Sequence, residues 1–153
     1  MDARTAIVEQ VYRSGLRLDE RDFAGYLALC DDDYHYEITT WSPEIRRQMT
    51  WLSHDKAALQ TLFTNLPRHN SDASPLTRHL TVCTVDLPPD GERAEVVSAL
   101  QVFRTAIDSG ATALFAVGKL FDTLVLRDDA WRLSRRVVRL DTRLLGFGHH
   151  VPL

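Results

Sequence analysis

The sequence predicts an α+β domain in which helices come first and a curved, mostly antiparallel sheet follows. Three observations carry that expectation. Apolar residues recur at three- and four-residue intervals early in the chain, long β-branched runs separated by turn residues fill the later part, and 153 residues at 44% hydrophobic supply one core. The chain is therefore read as a single domain, 1–153.

From Arg4 to Leu18, the residues Ile7, Val8, Val11, Tyr12, Leu16 and Leu18 keep helical spacing, with Asp2 as the cap. A second, short helix starts with Asp22 as N-cap and buries Phe23, Tyr26, Leu27 and Cys30 at i, i+3, i+4 and i+7, ending at the acidic run Asp31 to Asp33. The period then changes to two. Tyr34, Tyr36 and Ile38 alternate with His35, Glu37 and Thr39, which predicts a half-buried strand from Tyr34 to Trp41. Ser42 to Leu52 has no clean period, yet Pro43, Ile45, Met49, Trp51 and Leu52 are too apolar for a free loop, so this segment is expected to pack on something. Ser53 or Asp55 caps a third helix with Leu59, Leu62, Phe63 and Leu66 on one stripe, stopped by Pro67.

After a polar loop through Asn70, Ser71, Asp72 and Ser74, the chain reads as strands joined by turn chemistry. Arg78 to Leu87 runs into Pro88-Pro89-Asp90-Gly91, Arg93 to Ile107 into Asp108-Ser109-Gly110, Thr112 to Arg127 into Asp128-Asp129, and Trp131 to Arg143 closes the set. Long antiparallel strands coil, so a sheet wrapped around the helices, forming a cone with a pocket, is the economical packing.

Composition narrows the partners. A net charge of -3 leaves no basic excess for phosphates or an anionic bilayer, which argues against nucleic acid and membrane. No apolar run reaches the roughly 20 residues of a membrane span, and the start of the chain lacks the order of a secretory signal. Cys30 and Cys83 lie far apart in apolar surroundings, which predicts two buried thiols in a reducing compartment, hence the cytoplasm.

The order of elements resembles the cone-shaped fold of nuclear transport factor 2 and ketosteroid isomerase. Closer likeness lies in Leu18-Asp19-Glu20-Arg21, Tyr26-Leu27-Ala28-Leu29, Asp32-Asp33-Tyr34-His35-Tyr36, Arg78-His79-Leu80 and the run from Trp131 to Arg143. Together these resemble the β (small) subunits of Rieske-type aromatic-ring-hydroxylating dioxygenases. The run from Tyr36 to Arg46 is similar to the small subunits of methanesulfonate monooxygenases. This resemblance implies a structural subunit with no redox centre of its own. It implies a homotrimer holding three large subunits, α3β3, with the Rieske [2Fe-2S] cluster and the mononuclear iron in the large subunit.

The residues agree with a metal-free role. A Rieske cluster takes two thiolates and two imidazoles at close paired spacings. Neither Cys30 nor Cys83 has a histidine two residues on or a second cysteine nearby. His35, His54, His69, His79, His149 and His150 form no His-Glu-x-x-His pair, although a triad of distant residues stays open.

A rival comes from scytalone dehydratase, which shares the cone. That resemblance puts a catalytic carboxylate at Asp19 and a histidine at His79; a carboxylate that fixes the imidazole tautomer would leave His79 as a general base, with Tyr34 or Tyr36 able to polarise a carbonyl. The second histidine of that motif is missing, since Ala99, Leu100 and Gln101 occupy the region. The plainer alternatives make Asp19 a turn residue bonding backbone amides, His79 a strand histidine beside a carboxylate, and Tyr34, Tyr36, Trp41 and Trp51 packing residues. The last strand carries Arg132, Arg135, Arg136, Arg139 and Arg143 around Asp141. Those arginines are expected to pair with carboxylates of a neighbouring subunit, the alternative being a solvated edge strand. Leu144 to Leu153 reads as an arm lying across a partner.

Overall fold

The computed structural model describes residues 1–69, 73–142 and 152–153. Three helices and six strands follow in the order α1 (Ala3–Asp19), α2 (Phe23–Ala28), β1 (Cys30–Ser42), β2 (Arg47–Asp55), α3 (Lys56–His69), β3 (Leu76–Asp86), β4 (Arg93–Thr105), β5 (Thr112–Arg127) and β6 (Ala130–Leu140). The strands form one sheet in the order β2-β1-β6-β5-β4-β3. All neighbours are antiparallel except β1 and β6, which run parallel. Helices first and a curved, mostly antiparallel sheet after them is the architecture expected from the sequence.

Local chemistry explains the element boundaries. The Asp2 carboxylate accepts from the Thr5 amide and starts α1, Asp22 accepts from Gly25, and Asp55 accepts from Ala58 at the head of α3. Between β5 and β6 the turn residues Asp128 and Asp129 both take positive φ, 49° and 63°, the two-residue hairpin geometry whose twist matches that of the strands. Register shifts between Val82 and Thr84, between Val102 and Phe103 and between Thr123 and Leu124 bend the long strands, so the sheet curls around α1 and α3.

Alternation along the strands sorts residues into two faces. The inner face, packed on the helices, carries Tyr34, Tyr36 and Ile38 of β1, Val138 and Leu140 of β6, Leu120 of β5 and Leu100 of β4, and joins Ile7, Val11 and Leu18 of α1 and Leu59 and Phe63 of α3 in one core. Phe23 of α2 stacks on Phe63, ring centroids 4.4 Å apart, which fastens α2 to α3. The outer face alternates charge with half-buried apolar residues.

The edge strand β3 is covered by α1. Its outward-facing Arg78 amide donates to the Asp19 carboxylate at 3.0 Å, and its Val82 amide donates to the Tyr12 hydroxyl at 3.2 Å. Backbone donors that would otherwise invite another strand are thereby consumed.

Five sequence expectations are corrected. Ser42 to Leu52 holds most of β2, invisible to periodicity because this outer strand is exposed or half-buried on both faces. β1 begins at Cys30, so the acidic run lies in a strand instead of ending a helix; Asp31 is held there by the Arg127 guanidinium at 3.4 Å. Helix α3 passes Pro67 and ends at His69, since a proline in the last turn forfeits only one backbone bond. Cys83 is exposed, at the bulge between Val82 and Thr84 of an edge strand, while Cys30 is buried as expected. Finally, β6 ends at Leu140 and is a central strand, with β1 and β5 on either side, which removes the solvated-edge alternative. Asn70, Ser71 and Asp72, Arg143, and Leu144 to Val151 of the expected arm lie outside the described residues.

Gly118 of β5 lies opposite Leu140 of β6, with the β6 backbone close against it. A Cβ added there meets the Arg139 carbonyl oxygen at 2.2 Å. Gly118→Ala should therefore lower the unfolding free energy by about 1–3 kcal/mol, as overpacking does, in a urea titration. An unchanged midpoint would show that the two backbones are free to separate.

Candidate functional site: the cone interior and the outer sheet face

Two opposite charges lie at the centre of the cone. Asp122 of β5 and Arg136 of β6 are direct cross-strand partners on the inner face. Arg136 Nε donates to one Asp122 oxygen at 2.7 Å and Nη2 to the other at 2.9 Å, a bidentate pair. Nη2 also donates to the Ser14 hydroxyl of α1 at 2.9 Å. Both side chains are essentially inaccessible, at 1% and 0% exposure. Burial works to depress the Arg136 pKa, but the Asp122 carboxylate more than offsets it, so the guanidinium is held firmly charged.

Phenols surround this pair. The Tyr26 and Tyr34 hydroxyls share a hydrogen bond, and Tyr34 and Tyr36 are fully buried. Burial drives all three phenols well above the ordinary tyrosine range, so each stays protonated. Cys30, donating to the Tyr26 carbonyl at 3.4 Å, is pushed by burial up to about 12. Such groups donate and accept hydrogen bonds; they do not supply a base or a nucleophile at neutral pH.

The pairing of Asp19 with His79 is not formed. Asp19 is engaged by Arg78, taking its amide and its Nη1, the latter at 2.8 Å. His79, the next residue along β3, points to the other face, where its ring meets Phe103 edge-on with centroids 5.2 Å apart. Strand alternation alone separates the two candidates. Tyr34 and Tyr36 do face the interior, but as members of the packed phenol group.

The arginines of β6 are divided by the same alternation. Arg136 points inward and is consumed by Asp122, so it is withdrawn from the expected subunit contact. Arg135 and Arg139 are exposed on the outer face. Arg135 binds Glu37 at 2.7 Å, and the Arg139 guanidinium lies 4.4 Å from the centre of the Phe121 ring. Arg132 lines a shallow polar recess with Asp31, Asp33, Arg127 and Asp128. Asp141 donates its amide to Val117, beyond the end of the strand. Arg143 lies outside the described residues.

Outward from the centre, Val137, Phe121 and Val97 form one half-buried row across three strands, and among the described residues no helix packs over it. At the far end, Trp41 is 48% and Met49 42% exposed beside Thr142. A sheet apolar on one face and partly apolar on the other is suited to meeting further protein.

Residues 13–146 match the family model described as ring hydroxylating beta subunit. The chain belongs to that family. It is 40% identical to the methanesulfonate monooxygenase hydroxylase subunit beta of Methylosulfonomonas methylovora, over 99% of this chain and 88% of that protein. It is 35% identical to the 2-aminobenzenesulfonate 2,3-dioxygenase subunit beta of an Alcaligenes species, over 97% of each. Among solved structures, the beta subunit of a putative aromatic-ring-hydroxylating dioxygenase from Novosphingobium aromaticivorans superposes with a TM-score of 0.82 at 22% identity, covering 99% of this chain and 97% of that one. The shared architecture is the cone of nuclear transport factor 2-like proteins.

Among the described residues of this beta-family chain, no set of side chains fits an iron–sulfur cluster or an iron centre. Cys30 is a buried thiol held protonated, Cys83 is alone on an outer edge, and among the described residues no three histidine, cysteine, aspartate or glutamate side chains converge. Sequence reasoning missed Asp122, Ser14 and the role of Arg78. A signal for the first existed: Asp122 shares its parity with Leu120, and Arg136 shares its parity with Val138 and Leu140, so both charges stand where an apolar residue is expected.

Two measurements check this site. Asp122→Leu alone should cost about 3–5 kcal/mol in urea unfolding by stranding the Arg136 charge, while the double change Asp122→Leu with Arg136→Met should recover most of it. A double variant no more stable than the single would refute the coupling. Separately, iodoacetamide should alkylate Cys83 in the native protein and leave Cys30 unmodified until denaturant is added, as peptide mass mapping will read.

Proposed function

We propose that this chain is the assembly subunit of a Rieske non-haem iron oxygenase. It forms a homotrimer that seats three large subunits, α3β3, in which the [2Fe-2S] cluster and the mononuclear iron reside. Family membership supports the association with a large subunit. The observation that carries the assembly role is the outer sheet face, where Arg135 with its partner Glu37, Arg139 over Phe121, and the half-buried Val137–Phe121–Val97 row are still reached by solvent after the helices have filled the inner face. Arginines there meet carboxylates of another chain in fixed bidentate geometry, and the aromatic and aliphatic groups between them supply area to bury.

The cone supports this role by being filled. A protonated phenol cluster and a neutralised ion pair give rigidity, which is what a scaffold subunit requires. The complex is proposed to act in the cytoplasm, and, since both curated relatives carry a sulfonate in their names, on an organosulfonate chosen by the large subunit.

Native mass spectrometry tests the proposal. The purified chain should register as a trimer and, co-expressed with a Rieske large subunit, as a 3:3 complex. Phe121→Glu should weaken assembly by about tenfold or more, the scale on which a like charge disrupts an interface, without lowering the unfolding midpoint of the isolated chain. A stable monomer that captures no large subunit would overturn the reading.

A further inference from the structure

Pro152 and Leu153 are buried, and Leu153 is only 1% exposed within the same core as Tyr36 and Val138. Neither residue belongs to a helix or a strand. Their backbone groups are held by side chains instead. The Leu153 amide donates to the Tyr36 hydroxyl of β1 at 2.8 Å, and the Pro152 carbonyl accepts from Arg78 Nη2 of β3 at 2.6 Å.

Those two strands stand on opposite sides of the sheet, with β6, β5 and β4 between them. Two consecutive backbone groups gripped by side chains from separate strands, with the leucine side chain in an apolar slot, is the manner in which a receptor holds a peptide. The Arg78 head is itself positioned by Asp19, and among the described residues its buried Nε has no partner, leaving one donor to spare beside the gripped carbonyl.

We infer that the cone interior is a binding site for a short apolar amide or acid, and that Pro152–Leu153 of this same chain is the occupant that keeps small molecules out. Arg78 selects a carbonyl or carboxylate oxygen, Tyr36 selects the adjoining N–H, and the slot selects a branched aliphatic side chain. Asp19 is a positioning residue that fixes the Arg78 fork. The inference is independent of the oxygenase reading, because it concerns the inner face alone.

The test uses the full chain and 8-anilinonaphthalene-1-sulfonate, an apolar anion whose fluorescence reports binding. Wild type should bind it weakly, whereas Leu153→Gly, with cooperative unfolding retained, should bind one equivalent at least about tenfold more tightly, and N-acetyl-prolyl-leucine amide should displace it. Tyr36→Phe in the Leu153→Gly background should weaken the peptide by several-fold while sparing the dye. Equal dye binding by wild type and Leu153→Gly, or failure of the peptide to compete, overturns the inference. Hydrogen exchange on unaltered protein gives a second, variant-free reading. The Leu153 amide should be protected to the same order as the β1 amides, and exchange at the rate of an open peptide would overturn the inference equally.

Discussion

The buried Asp122–Arg136 pair is the constraint around which the rest of the molecule is arranged. A bidentate ion pair sealed from water tolerates almost no displacement, because the desolvation of both charges is offset only while the geometry holds. A slip of β5 against β6 by one residue would turn one charge outward and strand the other. Through Ser14 the same guanidinium fixes where α1 lies on the sheet. With α1 fixed, Tyr12 and Asp19 reach the free edge of β3, and Asp19 in turn orients Arg78. The interior is thus ordered outward from its centre by hydrogen bonds of definite direction.

Much of the fold is legible in the amino-acid sequence wherever one face of an element is buried and the other is wet. The stripe Leu59, Leu62, Phe63 and Leu66 and the alternation of Tyr34, Tyr36 and Ile38 are of this kind, and so are the turns at Asp90-Gly91 and Asp128-Asp129. β2 is not, since a strand partly exposed on both sides has no period to read. The beginning of β1 is hidden for another reason. Three successive aspartates are poor strand formers, and their place in the sheet depends on Arg127, almost a hundred residues away, and on the parallel contact with β6.

The site was less legible because it depends on parity across strands. Five arginines in one segment look equivalent until bulges are counted, and the shift at Thr123/Leu124 decides which of them faces inward. Arg136 joins the core and Arg135 does not, a difference of one residue and of the whole role. The same arithmetic undoes the match of Asp19 with His79: the residue beside the histidine faces Asp19, and the histidine faces away. The docking of Pro152 and Leu153 leaves no periodic trace, because two residues are too few to show one.

The parallel contact of β1 with β6 has a kinetic consequence. Strands β3, β4, β5 and β6 pair with sequence neighbours through short turns, so their contacts close small loops and form early. Thr40 must instead reach the carbonyl of Leu140, 100 positions onward. During synthesis the first two helices and the antiparallel β1–β2 pair emerge before the rest of the sheet exists, and their apolar faces wait until β6 has been made. The chain thus completes its core from its last strand backward, and the interval before β6 arrives is when it is most exposed to misassociation.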